Sequence, residues 1–303
     1  MSSNVREILA KADTSVSDLL DGGKLNAEQS DKFYESVIEQ AVLLGDVRTV
    51  QMPSDKYNID KIAFGSRMWR AAPSSGTPLA SEDRYRPTYD QVQLDVNEII
   101  AEFRIPYDVL EDNIEKDQLQ DTFMSMASRR TSADFEELLI QGNTSSDDPF
   151  LALSDGALAL AGNPYDGSSL SAIDKEVFKA AMDNMPAKYF RNLNDMKFYM
   201  SPHNTVEYRY SLAGRGTDLG DESYVNRPGL SAFGVPVASA DFMPGANILF
   251  TFPQNLILGI HRDIMIETER DIRNRELVVV MTSRIDVKME EPEAAVNVSN
   301  LSW

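Results

Sequence analysis

The stretch VQLDVNEIIAEFRIPYDVLEDNIE, residues 92–115, decides how the rest of the chain is read. Over 91–100, Val92, Leu94, Val96 and Ile100 alternate with Gln91, Gln93, Asp95 and Asn97, the period-two signature of a half-buried strand. Beyond Pro106 the pattern changes to a helical period. Asp108 with Glu111 three residues later suits a capping box, and a long helix is expected over 114–141. Its stripe is Leu119, Phe123, Met126, Ala127 and Ala133, continued by Phe135, Leu138 and Leu139, and Gly142-Asn143 ends it. Twenty-eight residues at ~1.5 Å rise make a rod of roughly 42 Å.

Working back from residue 92, the polar, turn-rich run APSSGTPLASEDRYRP (72–87) precedes the strand, and a second strand is expected over 57–70, with Ile62, Phe64 and Met68 in register. Two strands around a long tip make an extended β-hairpin. A lone hairpin is marginal in water, so this one should lie on another surface, with a neighbouring subunit the natural candidate. Arg67, Trp69 and Arg70 sit on it. An aromatic flanked by arginines suits a protein interface, where Trp and Arg are enriched; packing of Trp69 under the hairpin's own tip is the alternative. Further back, Val5, Ile8 and Leu9, then Phe33, Val37, Ile38, Ala41, Val42 and Leu44, recur at helical spacing until Gly45, and residues 1–50 read as a helical arm.

Working forward, 147–165 reads as a small-residue connector. A helix is expected over 170–185, started by Ser168 or Ser169, with a short strand over 196–200 and a helix over 203–212. A glycine-rich loop, GRGTDLGDESYVNRPG (214–229), follows. Short strands are expected over 235–240, 248–252, 256–260 and 265–268, and a longer one over 276–289, where Ile285, Val287 and Met289 alternate with Arg284, Asp286 and Lys288. The fold class is α+β, with no internal repeat.

Composition narrows the functional classes. The 303 residues are 42% hydrophobic and 25% charged, ordinary for a globular chain. There is no cysteine, which excludes disulfides and thiolate metal sites and fits synthesis in a reducing cytoplasm. Two histidines, His203 and His261, cannot make a His-rich zinc site. The N-terminus has no signal-peptide apolar run, and no apolar stretch is long enough to cross a bilayer, so a soluble, unexported protein with no membrane partner is expected. A net charge of −19 argues against tight DNA binding through a basic patch. It suits a container whose wall does not hold the polymer, and equally a protein kept soluble by its charge.

Catalytic patterns are missing. Gly23-Lys24 is followed by Leu25, not Ser or Thr, and Gly214, Gly216 and Gly220 have the wrong spacing for a dinucleotide loop. Ser201-Pro-His203 lacks a third partner, so helix capping by Ser201 is expected. His261 reads as a surface or sheet-edge residue. The acidic pairs Asp147-Asp148, Glu136-Glu137 and Glu290-Glu291 lack calcium-loop spacing and read as solvated surface. No cofactor, metal or catalytic residue is expected.

The order of parts resembles the HK-ninety-seven-type capsid fold of tailed bacteriophages and herpesviruses. The resemblance covers the whole chain. It is carried by 92–115, by the rod's end ADFEELLIQGNT (133–144), and by the run from Ile248 to Val296, similar to the family's domain-crossing strands and C-terminal return. It implies an N-terminal arm (1–50), an extended hairpin called the E-loop (51–105), a peripheral domain (106–145 and 261–303) and an axial domain (146–260). It also implies a major capsid protein assembling as pentamers and hexamers around phage double-stranded DNA, found in the virion and assembled in the host cytoplasm. The 215–227 loop would lie near five-fold and six-fold axes. Arg67, Trp69, Arg70, Arg84, Arg86, Arg215 and Arg227 are the candidate inter-subunit contacts. Because the chain begins with the arm, a separate scaffolding protein is expected, with a portal and, for stability, a possible cement protein. No lysine lies between Lys61 and Lys116, so the family's covalent lysine–asparagine cross-link from the E-loop tip is not expected. An encapsulin-type nanocompartment shell, a cytoplasmic enzyme built around the glycine-rich loop, and a tail or decoration protein are the competing readings.

Overall fold

The computed structural model describes residues 41–63, 69, 84, 87–108, 119–170, 172–213 and 229–302. In chain order, helix α1 (Val42–Asp46) leads into strands β1 (Arg48–Gln51), β2 (Lys56–Ala63), β3 (Thr88–Asp95) and β4 (Asn97–Pro106). Helix α2 (Leu119–Gln141), the short helix α3 (Ala157–Leu160), β5 (Asn163–Asp166) and helix α4 (Lys175–Asp183) follow. Then come β6 (Lys197–Met200), helix α5 (Pro202–Ala213), β7 (Ser231–Ala232), β8 (Val235–Ser239) and β9 (Ile248–Thr251). The chain ends with β10 (Leu256–Asp271), β11 (Glu276–Met289) and β12 (Ala295–Ser299).

Two sheets carry the body. The first has the order β1-β10-β11-β4, the second β5-β12-β9-β6-β8-β7, and β2 with β3 forms a separate hairpin. The first sheet is built on the long β10–β11 pair, with β4 antiparallel on one side and β1 parallel on the other. Helix α2 covers one face. Its Phe135, Leu138, Leu139 and Ile140 pack with Ile105, Ile264, Ile266, Leu277 and Val279, and with Leu43 and Leu44 of α1. The second sheet encloses an aromatic core: Phe198 stacks on Phe250 at 4.3 Å, and Phe178 of α4 meets Phe198 edge-on at 4.9 Å. Full burial of each such ring stabilises by about 1.5–3 kcal/mol.

Several expected elements are displaced for identifiable reasons. Residues 91–100 do not form one strand. They divide at Val96, where the Val96 N–H donates to Asp55 O (3.1 Å) and the chain turns out of the hairpin into the first sheet. The region after 96 therefore stays extended to Pro106, with Tyr107 and Asp108 alone helical before the undescribed 109–118. The strands expected over 256–260 and 265–268 are one sixteen-residue strand, its register slipping on either side of Arg262. A β-bulge lets a long strand bend without breaking, and alternation is lost there. Helix α4 starts at Lys175 because Asp174 caps it, its Oδ1 accepting from Glu176 N at 2.8 Å, rather than Ser168 or Ser169. The connector expected over 147–165 contributes β5, and β12, inside the stretch assigned to the first sheet's domain, pairs with β5 and β9 of the second sheet. Expected features over 1–40 and 214–228 lie outside the described residues.

Candidate subunit-contact surfaces

The β2–β3 hairpin projects from the body with a register running from Lys56↔Asp95 to Ala63↔Thr88. Its root is fixed by polar contacts. The buried carboxylate of Asp286 on β11 accepts from Asp95 N (2.8 Å) and Ser154 Oγ (2.8 Å), so one side chain ties the end of β3 to the loop before α3. Asp55, just before β2, lies 3.0 Å from both Arg284 Nη1 and His261 Nδ1. Arg284 and Arg262 also hold Glu98 at 3.1 and 2.9 Å, and together, with Arg284 the larger influence, they keep the Glu98 carboxyl below the usual range. Lys61 reaches back to Glu291 Oε1 at 2.6 Å.

One face of the hairpin packs inward at its base: Leu94 is buried with Met52 and Ile257, and Ile59 covers them. The other face carries Asn58 opposite Gln93, Asp60 opposite Gln91, and Ile62 opposite Tyr89. Ile62 is 62% exposed and Tyr89 75% exposed, so an apolar cross-strand pair faces solvent near the far end. Trp69 beyond it is 83% exposed, and the tip that follows it lies outside the described residues.

Of the sequence-derived contact candidates, Trp69 and Arg84 are described, and both are exposed. Arg67, Arg70, Arg86, Arg215 and Arg227 lie outside the described residues. The exposed pair Ile62–Tyr89 was not singled out from sequence. Its signal was an apolar residue on each strand at the positions that register brings together, and register is not visible without the turn.

The enzyme-like features resolve into structural roles. Ser201 Oγ accepts the Asn204 N–H (3.2 Å) and caps α5, while His203 is exposed on that helix's first turn. The acidic pairs divide. Glu136 is buried rather than solvated, because its Oε1 accepts from Leu43 N at 2.9 Å. Glu290 and Glu291 are ion-paired with Arg48 and Lys61. Among the described residues, no group of three or more His, Cys, Asp or Glu side chains could hold a metal ion. No described helix is long and apolar enough to cross a membrane.

The hairpin, with an exposed apolar pair at its outer end, thus stands beside a body of two sheets and a long helix. Comparison with known proteins identifies the family. Over 306 residues, covering 97% of both chains, the sequence is 38% identical to YqbE of Bacillus subtilis (strain 168), described as a prophage capsid protein. The chain belongs to the phage capsid protein family. No protein-family model matches it. Among solved structures, the satellite phage P4 procapsid matches with a TM-score of 0.67 at 14% identity, covering 100% of this chain and 98% of that one. The capsid of a native GTA particle matches with a TM-score of 0.58 at 16% identity over 100% and 99%. At such identities these likenesses show the fold, and the fold is that of phage capsids.

Proposed function

We propose that this capsid protein assembles as pentamers and hexamers into an icosahedral head that encloses phage double-stranded DNA, and that its part in the virion is structural, without catalysis. The observation that carries the reading is the hairpin: rooted by buried Asp286, with the apolar pair Ile62 and Tyr89 exposed at its outer end. In this reading β2 and β3 are the E-loop, the first sheet with α2 is the peripheral part, and the second sheet, including β12, is the axial part. Trp69, Arg67, Arg70, Arg84 and Arg86 contact a neighbour through the E-loop, and Arg215 and Arg227 do so near the symmetry axes. Assembly takes place in the host cytoplasm with a separate scaffolding protein and a portal, and a cement protein is a further candidate partner. The net charge of −19 favours enclosure of DNA without adhesion.

Electron microscopy of the purified protein, expressed alone and with its genetic neighbours, tests this. Uniform round shells, or free pentamers and hexamers, are expected. A clean monomer under both conditions overturns the proposal.

A further inference from the structure

The turn joining β10 to β11 stands out on so acidic a chain. Asp271, Ile272, Arg273, Asn274 and Arg275 form it, and Arg270 precedes it. The Asp271 carboxylate is spent on the turn itself, accepting from Arg273 N (2.9 Å) and Asn274 N (3.2 Å), which hold its pKa down. Arg275 sits at φ 58°, a left-handed position costly for a side chain with a Cβ, and its carbonyl is pinned by Tyr107 N at 3.0 Å. Ile272 is 83% exposed at the apex. Arg270, Arg273 and Arg275 are exposed and make no ion pair among the described residues. The tip is thus an isoleucine set among three guanidinium groups on a chain with a net charge of −19.

A complementary surface exists on the same molecule. Between α2 and the first sheet lies a cleft of about 340 Å³. Ile99, Ile100, Phe150 and Met281 give it apolar walls, and Glu137 and Asp148 add negative charge, while Arg130 is already paired with Asp134 at 2.7 Å. A subunit's own tip cannot reach it. Glu276 at the turn pairs with Pro106, and Met281 at the cleft pairs with Ala101. Five residues of rigid strand therefore separate the two, about 17 Å.

We infer that the β10–β11 tip of one copy docks in the α2–sheet cleft of a second copy, with Ile272 against the apolar walls and the arginines against Glu137 and Asp148. Such a contact is heterologous, joining different patches of identical chains, and contacts of that kind close into rings. Apolar insertion supplies affinity, and charge complementarity suppresses the wrong register. The inference rests on the shell reading above.

The absence of cysteine allows a clean test. Chains carrying I272C or I100C are prepared singly, mixed, assembled and oxidised, then run on a non-reducing gel. A covalent dimer dominated by the 272–100 pairing is expected from the mixture. Self-linked I272C, meaning tips meeting tips, overturns the inference, as does the lack of any cross-link in intact shells. In parallel, R273E/R275E is expected to melt like wild type yet assemble at least about tenfold less, with recovery when it is mixed with E137R/D148R chains. Wild-type assembly by the charge-reversed chain also overturns the docking while leaving the shell reading intact. Failure of wild type itself to form shells or capsomers overturns both.

Discussion

Glu136, in the C-terminal third of α2, accepts the main-chain N–H of Leu43 at 2.9 Å, so the buried carboxylate of one helix caps the first turn of another that lies 93 residues earlier. Helix α1 has no cap of its own: Ala41 stands at its N-cap position and offers no side-chain acceptor. E136A leaves the Leu43 N–H buried without a partner and is expected to cost about 1–3 kcal/mol in urea unfolding. Burial, the largest influence, raises the Glu136 pKa above its ordinary 4.5. A carboxyl with a raised folded pKa contributes stability that is fully present below 4.5 and is lost as pH rises through the folded value. The stability of E136Q relative to wild type should therefore increase from pH 4.5 towards neutrality. A difference independent of pH would contradict the assignment.

Asp286 makes a second prediction. Its carboxylate serves Asp95 N, Ser154 Oγ and its neighbour Val287 N, all within 2.9 Å. D286A strands these donors at about 1–3 kcal/mol each where they stay buried. The loss should be local as well as global. Amide hydrogen exchange at Asp95 and Val96 should accelerate more than exchange in β9 or β12, because the hairpin root loses its anchor while the second sheet keeps its ladder. Equal acceleration everywhere would show Asp286 to be a general core residue rather than the hairpin's root.

How much of this was legible beforehand depends on the range of the interaction. The stripe ending in Phe135, Leu138 and Leu139 on α2 and the inward set Ile285, Val287 and Met289 on β11 are local periodicities that the structure keeps, although Asp286, expected on the charged face, is buried; the hairpin strands are seen over Lys56–Ala63 and Thr88–Asp95, with Phe64 and Met68 outside the described residues. The break at Val96 was invisible because alternation runs straight through it; what redirects the chain is Asp55 and Asp286, distant in sequence. The burial of Glu136 was hidden for the same reason, since a carboxylate looks solvated until its donor is known. Ser201 as a cap was readable because capping is local. Of the sequence-derived contact candidates, exposure is seen at Trp69 and Arg84. The pairing of Ile62 with Tyr89 requires register, and register across a long tip is not encoded in spacing.

Glycine positions separate packing constraint from chain freedom. A Cβ on Gly142 would meet Ser154 O at 2.4 Å and Leu138 O at 2.6 Å, both backbone atoms with nowhere to move. One on Gly229 would meet nothing within 4 Å. G142A is expected to destabilise by about 1–3 kcal/mol or more, because the end of α2 must shift off the loop at Ser154. G229A should be neutral or slightly stabilising, through the reduced entropy of the unfolded chain. Thermal melts of the two variants beside wild type check the contrast, and similar melting temperatures would contradict the close approach at Gly142.

The outer face of the hairpin gives the most direct assay of the shell reading at residue level. Ile62 and Tyr89 face each other across β2 and β3, and in the isolated subunit they lend the hairpin only a cross-strand pair's worth of stability, about 0.2–1 kcal/mol. If a neighbouring copy covers them, each instead buries an apolar side chain worth about 1.5–3 kcal/mol. The two quantities differ enough to be separated. I62S/Y89S should leave the melting temperature of the unassembled subunit nearly unchanged. The same variant should raise the protein concentration needed for shells or capsomers by at least about tenfold, the equivalent of 1.4 kcal/mol. The pair N58S/Q93S, on the same face nearer the root, removes polar rather than apolar side chains and serves as the control, with assembly close to wild type. A large drop in subunit stability for I62S/Y89S would mean the pair packs within its own chain. Unchanged assembly would remove the outer face of the hairpin from the contact surface and leave Trp69 to be tested alone.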